Sequence, residues 1–169
     1  LIQALKKKLK IDTSNSEHLK AALFDYFRFN RNMHCVTETP VFYRDTEDFV
    51  AFTKDEIYCV EVKVDKQDFI NDFKTKQKHG REMKFDKFYF CVPKSLEEFV
   101  LDYLKAYPCY GLIVVSNSAV IVKKNAKRNF QLGENKFFNK SKRRYLFLRM
   151  SSELANEKIK KITERKERK

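Results

Sequence analysis

"DFVAFTKDEIYCVEVK", residues 48–63, decides how the rest of the chain is read. Two runs of strand-forming residues flank Lys54-Asp55, which predicts a β-hairpin. Alternate residues of a strand share a face. Ile57, Cys59, Glu61 and Lys63 therefore face one way, and Tyr58, Val60 and Val62 the other. On the preceding strand, Asp48, Val50 and Phe52 share a face. With Lys54-Asp55 as the turn, Thr53 pairs with Glu56, and the same register carries Asp48 opposite Glu61. Directly opposed Cβ atoms lie about 5 Å apart. The same parity sends Glu47 to the other face, so Asp48 is expected to be the acid that meets Glu61.

Two opposed carboxylates repel each other. A hard divalent cation with oxygen ligands is the natural occupant of the space between them. Lys63 shares the face of Glu61. While charged it cannot ligate a metal, but it can hold a phosphate oxygen or an attacking water. The alternative is an edge hairpin with solvent on that side and Lys63 simply paired with Glu61. The spacing D-x(12)-E-x-K is permissive and leaves both readings open.

Working outward, the flanking segments read as elements of an α/β protein. "SNSE" (14–17) has the form of a capping box. It opens a helix with Leu19, Leu23, Tyr26 and Phe27 on one face. "MHCVTETPVF" (33–42) is expected as a strand, with Pro40 near its end. After Lys63, Asp65 can cap a second helix, with Asp68 at its start. That helix buries Phe69, Ile70 and Phe73, presents Lys74, Lys76 and Lys78, and is expected to end at His79-Gly80. "KFYFCV" (87–92) is apolar on both faces, as in a central strand. "SLEEFVLDYLKAY" (95–107) is an amphipathic helix with Ser95 as its cap. "GLIVVS" and "AVIVKK" around Asn117-Ser118 form a hairpin. Residues 1–10 read as a short helix or a frayed end. "SKRRYLFLRM" (141–150) is expected to hold one more strand. A last helix is expected from Ser151, with Leu154, Ala155, Ile159 and Ile162 on one face. The sum is a mixed sheet with helices on its faces.

With 169 residues, 16 Phe and 8 Tyr, the chain can bury a core as one domain. Cys35, Cys59, Cys91 and Cys109 have no zinc or redox spacing, and three lie in apolar runs. They are expected as buried free thiols of a reducing compartment. No apolar window approaches the roughly 18 residues of a membrane helix, and no signal peptide is visible. The expectation is a cytoplasmic protein. Residues 1–122 carry 19 Lys+Arg and 18 Asp+Glu, whereas residues 123–169 carry 17 and 5. The chain therefore divides into a nearly neutral core (1–122) and a basic C-terminal extension (123–169), packed on the same domain. Such a partition suggests a polyanionic partner, the alternative being a solvated tail. The cluster Lys140, Lys142, Arg143, Arg144 is dense enough for phosphate contact, whereas Lys76 and Lys78 read first as a solvated helix face and second as a track for a nucleic-acid backbone. His18, His34 and His79 are isolated, and a chain with 3 Gly has no Gly-rich phosphate loop.

Asp48, then Glu61-Val62-Lys63 in a strand after a short hairpin, then a helix, resembles the PD-(D/E)XK nuclease superfamily. More narrowly, "TETPVFYRDTEDFVAF", "CVEVKVDKQDFINDFK" and "FDKFYFCVP" resemble the MmcB-like family of predicted DNA repair nucleases. The likeness covers residues 20–95 and includes Asp68-Phe69 and Asp72. Glu47 stands where the superfamily name has Pro, and the region after Lys123 has no counterpart. The resemblance implies a restriction-endonuclease-like core and a metal site made by Asp48, Glu61 and the carbonyl of Val62. It implies Mg²⁺ as the cofactor, with Mn²⁺ as a substitute. Lys63 would orient or activate water and stabilise developing charge, and Glu38 is a candidate supporting acid or further ligand. The expected activity is metal-dependent endonucleolytic hydrolysis of DNA, in repair or restriction-type processing, with RNA left open and a homodimer as a possible assembly. The competing readings are a non-cutting nucleic-acid-binding module and a subunit of a larger DNA-processing complex.

Overall fold

The computed structural model describes residues 11–41, 46–74, 85–117, 119–128 and 140–167. Residues 1–10, Lys76, Lys78 and the expected helix end at His79-Gly80 lie outside the described residues. Six strands form one sheet in chain order: β1 (His34–Thr39), β2 (Glu47–Phe52), β3 (Ile57–Val62), β4 (Lys87–Pro93), β5 (Gly111–Val115) and β6 (Val120–Lys124). β1/β2, β2/β3 and β5/β6 are antiparallel, and β3/β4 and β4/β5 are parallel. Parallel neighbours need a crossover. α2 (Lys66–Lys74) supplies one, and α3 (Glu97–Tyr103) with its flanking 3-10 turns supplies the other. The remaining helices are α1 (Ser16–Phe24), which runs into a π-helical turn at Asp25–Asn30, and α4 (Lys140–Glu167). This is the expected α/β architecture, a mixed sheet flanked by helices.

The two sheet faces bury separate cores. Leu19, Leu23 and Phe27 from α1 and its π turn pack on Phe49, Val60 and Cys91. On the other face, Phe69 of α2, Val100 and Leu104 around α3, and Leu146 of α4 pack on Val50, Phe90 and Leu112. The Phe69 ring meets Phe90 edge-on with centroids 5.0 Å apart. β4 and β5 are buried along nearly their whole length, as their apolar runs require.

Local signals are partly as read. Asp65 Oδ1 accepts from the Asp68 N–H at 2.8 Å and caps α2. Asn15, not Ser14, caps α1, accepting from the Glu17 N–H at 2.9 Å. The Ser14 hydroxyl is bound instead to Asp12. α3 is entered through the 3-10 turn Lys94–Leu96, with no side-chain cap from Ser95.

The strand expected within 141–150 is instead the first part of α4. "YLFL" has the apolar density of a strand, but only Leu146 is fully buried, with Tyr145 and Met150 packed beside it. Those spacings are helical, and Lys, Arg, Leu and Met are good helix formers. α4 packs against β1 at the edge of the sheet. Tyr145 reaches Thr39 (Oη to Oγ1, 3.2 Å), while the Phe147 ring meets His34 and Phe52 at the far ends of β1 and β2. At the outer edge of β1, the Glu153 carboxylate accepts from the Thr37 N–H at 3.1 Å. A helix side chain thus occupies a backbone donor of an edge strand. Among the described residues no helix is long and apolar enough to cross a membrane.

Candidate metal centre

The hairpin register is the expected one. Phe49 pairs with Val60 and Phe52 with Ile57, and the Thr53 N–H donates to the Glu56 carbonyl at 2.9 Å. Beyond Phe49 the ladder changes. The Val62 N–H donates to the Asp48 carboxylate at 2.9 Å, so a side chain serves where the strand would offer a main-chain carbonyl. On the other side of β2, Thr37 pairs with Phe49 and Thr39 with Glu47, which leaves Glu38 opposite Asp48. Glu38 has a left-handed backbone (φ 46°), uncommon for a residue with a Cβ.

This break corrects the parity expectation. Two-residue alternation holds only while the ladder runs on. Glu47, expected on the opposite face, lies on the face of Cys59 and Glu61: its Oε2 accepts from the Cys59 Sγ–H at 3.3 Å. Glu47, Cys59 and Glu61 are all buried, and one ligand atom from each lies within 4.8 Å of the others. These three side chains can hold a metal ion. Asp48 borders them half-buried, with Oδ2 engaged by the Val62 amide.

Lys63 directly follows β3. Its N–H donates to the Cys91 carbonyl at 2.9 Å, which extends the β3/β4 pairing by one residue and fixes its direction. The side chain is 3% exposed. Nζ lies 3.1 Å from Asp72 Oδ1, 3.5 Å from Glu61 Oε2 and 3.6 Å from Asp68 Oδ2. Both aspartates come from α2, one helical turn apart, and Asp72 is fully buried. Burial pulls the Lys63 ammonium down, but Glu61, Asp72 and Asp68 outweigh it and hold its pKa above the ordinary lysine value. In the metal-free protein these carboxylates therefore hold the proton on Lys63.

Glu38 goes elsewhere. Its carboxylate pairs with Lys20 of α1, which also meets Glu17 at 2.9 Å, and its carbonyl accepts from Arg149 at 3.3 Å. Of the basic cluster, Lys142 donates to the Val41 carbonyl and Arg143 to the Lys54 carbonyl, each at 2.6 Å, while Lys140 and Arg144 are exposed. Lys142 and Arg143 thus help seat α4 on the body. His18 and His34 stand apart from the centre: His18 Nδ1 accepts from the Asp12 N–H, and His34 lies between Phe52 and Phe147. Cys35 and Cys91 are buried thiols, and burial raises the Cys35 pKa to about 12.

Three residues of the centre escaped the sequence reading as site residues: Glu47, Cys59 and Asp72. Cys59 had a signal, since it shares a face with Glu61 and Lys63. Asp72 lies one turn beyond Asp68. Glu47 had none, because its placement depends on the break at Asp48.

No family model matches the chain, and no curated protein matches it. A solved structure of a protein of unknown function from Silicibacter pomeroyi matches with a TM-score of 0.59 and 18% identity, over 88% of this chain and 90% of that one. At that identity the likeness concerns the fold alone.

Proposed function

We propose that this chain is a divalent-metal-dependent nuclease that hydrolyses phosphodiester bonds in DNA, built on the PD-(D/E)XK pattern it resembles. The carrying observation is one juxtaposition. A buried lysine touches the same glutamate that belongs to a buried group of side chains able to hold a metal ion.

The donors fit a divalent cation. Glu61 contributes a carboxylate oxygen, and Glu47 and Cys59 converge on the same point. Asp48, whose Oδ2 holds the Val62 amide, fixes the end of β3 that carries Glu61. A bound divalent ion would polarise the scissile phosphate and lower the pKa of an attacking water. Lys63 acts electrostatically. Its ammonium, held by Glu61 and the α2 aspartates, would stabilise the charge that develops on the phosphoryl oxygens. Asp72 and Asp68 hold Nζ in place for that role. The exposed Lys140 and Arg144 supply phosphate contacts from the start of α4.

The test is incubation of the full chain with plasmid, single-stranded, branched and RNA substrates, with Mg²⁺, with Mn²⁺ and with EDTA. Metal-dependent cleavage of a DNA substrate, lost in Lys63→Met, is the expected result. Absence of cleavage with every divalent ion, alongside salt-sensitive DNA binding, would replace the nuclease with a binding module. Lys140→Ala/Arg144→Ala should flatten the salt dependence of DNA binding by roughly one log–log unit per lost phosphate contact. An unchanged slope would remove α4 from the binding surface.

A further inference from the structure

We infer that the ion at this centre is held by a thiolate, from Cys59, together with Glu47 and Glu61. The site would then select a borderline transition-metal ion such as Zn²⁺ or Co²⁺ over Mg²⁺. The inference deepens the nuclease reading and rests on it for there being an ion here, but its test uses no cleavage.

Donor chemistry carries it. Mg²⁺ demands oxygen ligands in near-octahedral array and keeps several waters. Cys59 is completely buried, Glu61 is 1% exposed and Glu47 is 3% exposed, which suits an ion that sheds water readily. Sulfur and carboxylate donors on a tetrahedral zinc-type ion, at roughly 2.3 and 2.1 Å from the metal, lie about 3.5 Å from each other. Glu47 Oε2 and Cys59 Sγ are 3.3 Å apart, close to that spacing. Three protein donors also leave one position for a water or a substrate oxygen, the pattern of catalytic rather than structural zinc sites. Softer ligands favour softer metals, so a single sulfur among the donors shifts the preference away from magnesium.

The fold supplies the third donor through a local departure from regular structure. Asp48 takes the Val62 amide, Glu38 opposite it is left-handed, and Glu47 arrives on the Cys59 face. Proton balance is simple. As the ion binds, the Cys59 S–H bond breaks, the sulfur remains as a thiolate on the metal, its proton goes to solvent, and Glu47 exchanges that hydrogen bond for the metal. Binding should therefore release protons.

The experiment is a titration of chelator-treated full-length protein with Co²⁺, followed by absorbance. A thiolate-to-cobalt charge-transfer band in the near ultraviolet is expected at one equivalent. It should be bleached by one equivalent of Zn²⁺ and should survive a hundredfold excess of Mg²⁺. Cys59→Ser should lose the band, whereas Cys109→Ser, which removes the exposed thiol, should keep it. Should Cys59→Ser fail to fold, Glu47→Gln decides. It keeps the thiol and should weaken Co²⁺ binding by at least the roughly tenfold that even a supporting partner contributes. No band in wild type, a band that survives in Cys59→Ser, or displacement by equimolar Mg²⁺ overturns the inference. Cleavage with Mg²⁺ in a protein that shows no cobalt band would sink the thiolate site and leave the nuclease standing. A cobalt band without cleavage of any polymer would do the reverse.

Discussion

Lys20 and Lys63 are both buried, both are flanked by carboxylates, and both have a pKa held above the ordinary lysine value. They differ in where their partners sit. The side chains of Glu17 and Glu38 beside Lys20 are 72% and 55% exposed. Those of Glu61 and Asp72 beside Lys63 are 2% and 0% exposed. At Lys20, water solvates the acids, and the pair with Glu38 latches α1 to the irregular end of β1. At Lys63 both signs of charge are inside the protein. Their mutual attraction is strong there, and so is the cost of leaving the buried acids without the Lys63 cation. One set is a surface clasp with a buried stem. The other adjoins sulfur and oxygen donors that point into the interior, the arrangement expected of chemistry rather than of fastening.

Removing each lysine should separate the two cases most sharply. Lys63→Met leaves Glu61 and Asp72 buried without their ammonium and should cost about 3–5 kcal/mol in urea unfolding of metal-free protein. Lys20→Met leaves acids that water can solvate and should cost about 1 kcal/mol or less. Equal costs would break the distinction. Glu61→Gln comes next. If the centre is catalytic, cleavage should fall at least about a hundredfold. Metal-free stability should hold level or rise, since a buried carboxylate becomes neutral while Lys63 keeps Asp72. A divalent ion should raise the melting temperature of wild type and much less that of Glu61→Gln. Lower metal-free stability with no ion effect in either protein would mean that Glu61 is only a structural partner of Lys63.

Much of this contrast was legible in the chain, and the parts that were not have physical causes. The hairpin register follows from a two-residue turn and alternation, which are local rules, and so does the shared face of Cys59, Glu61 and Lys63. The parallel steps from β3 to β5 follow from strands separated by amphipathic helices. What failed is non-local. The Asp48 carboxylate takes the Val62 amide, a choice made across two strands, and that single substitution of side chain for backbone swings Glu47 into the centre. The pairing of Glu38 with Lys20 likewise joins residues 18 apart through a left-handed backbone that no propensity announces. The first part of α4 is ambiguous in sequence because a short apolar run satisfies strand and helix alike. Only the sheet beneath it, which places Leu146 inward and Glu153 at the edge of β1, decides between them.

The smallest expected effect, and the finest test of the clasp, is in alkaline solution. Burial lowers the Lys20 pKa, but hydrogen bonds to Glu38 and Glu17 more than restore it, so the folded value lies above the unfolded one. The folded state then holds the Lys20 proton more tightly than the unfolded chain does. The corresponding stabilisation is complete below the ordinary lysine value of about 10.4 and is lost as pH rises through the higher folded value. Other lysines and tyrosines titrate in the same range, so the informative quantity is the difference between wild type and Lys20→Met. That difference in unfolding free energy should be constant from neutral pH to about pH 10, and should shrink above it as the wild type loses the proton. A difference that stays flat to the alkaline limit of folding would show that Lys20 contributes only the packing of its methylene stem, which methionine reproduces. A difference that grows with pH would mean that burial dominates and that the acids fail to hold the charge. Lys20 would then be a desolvated lysine rather than a clasp, and its likeness to Lys63 would be lost.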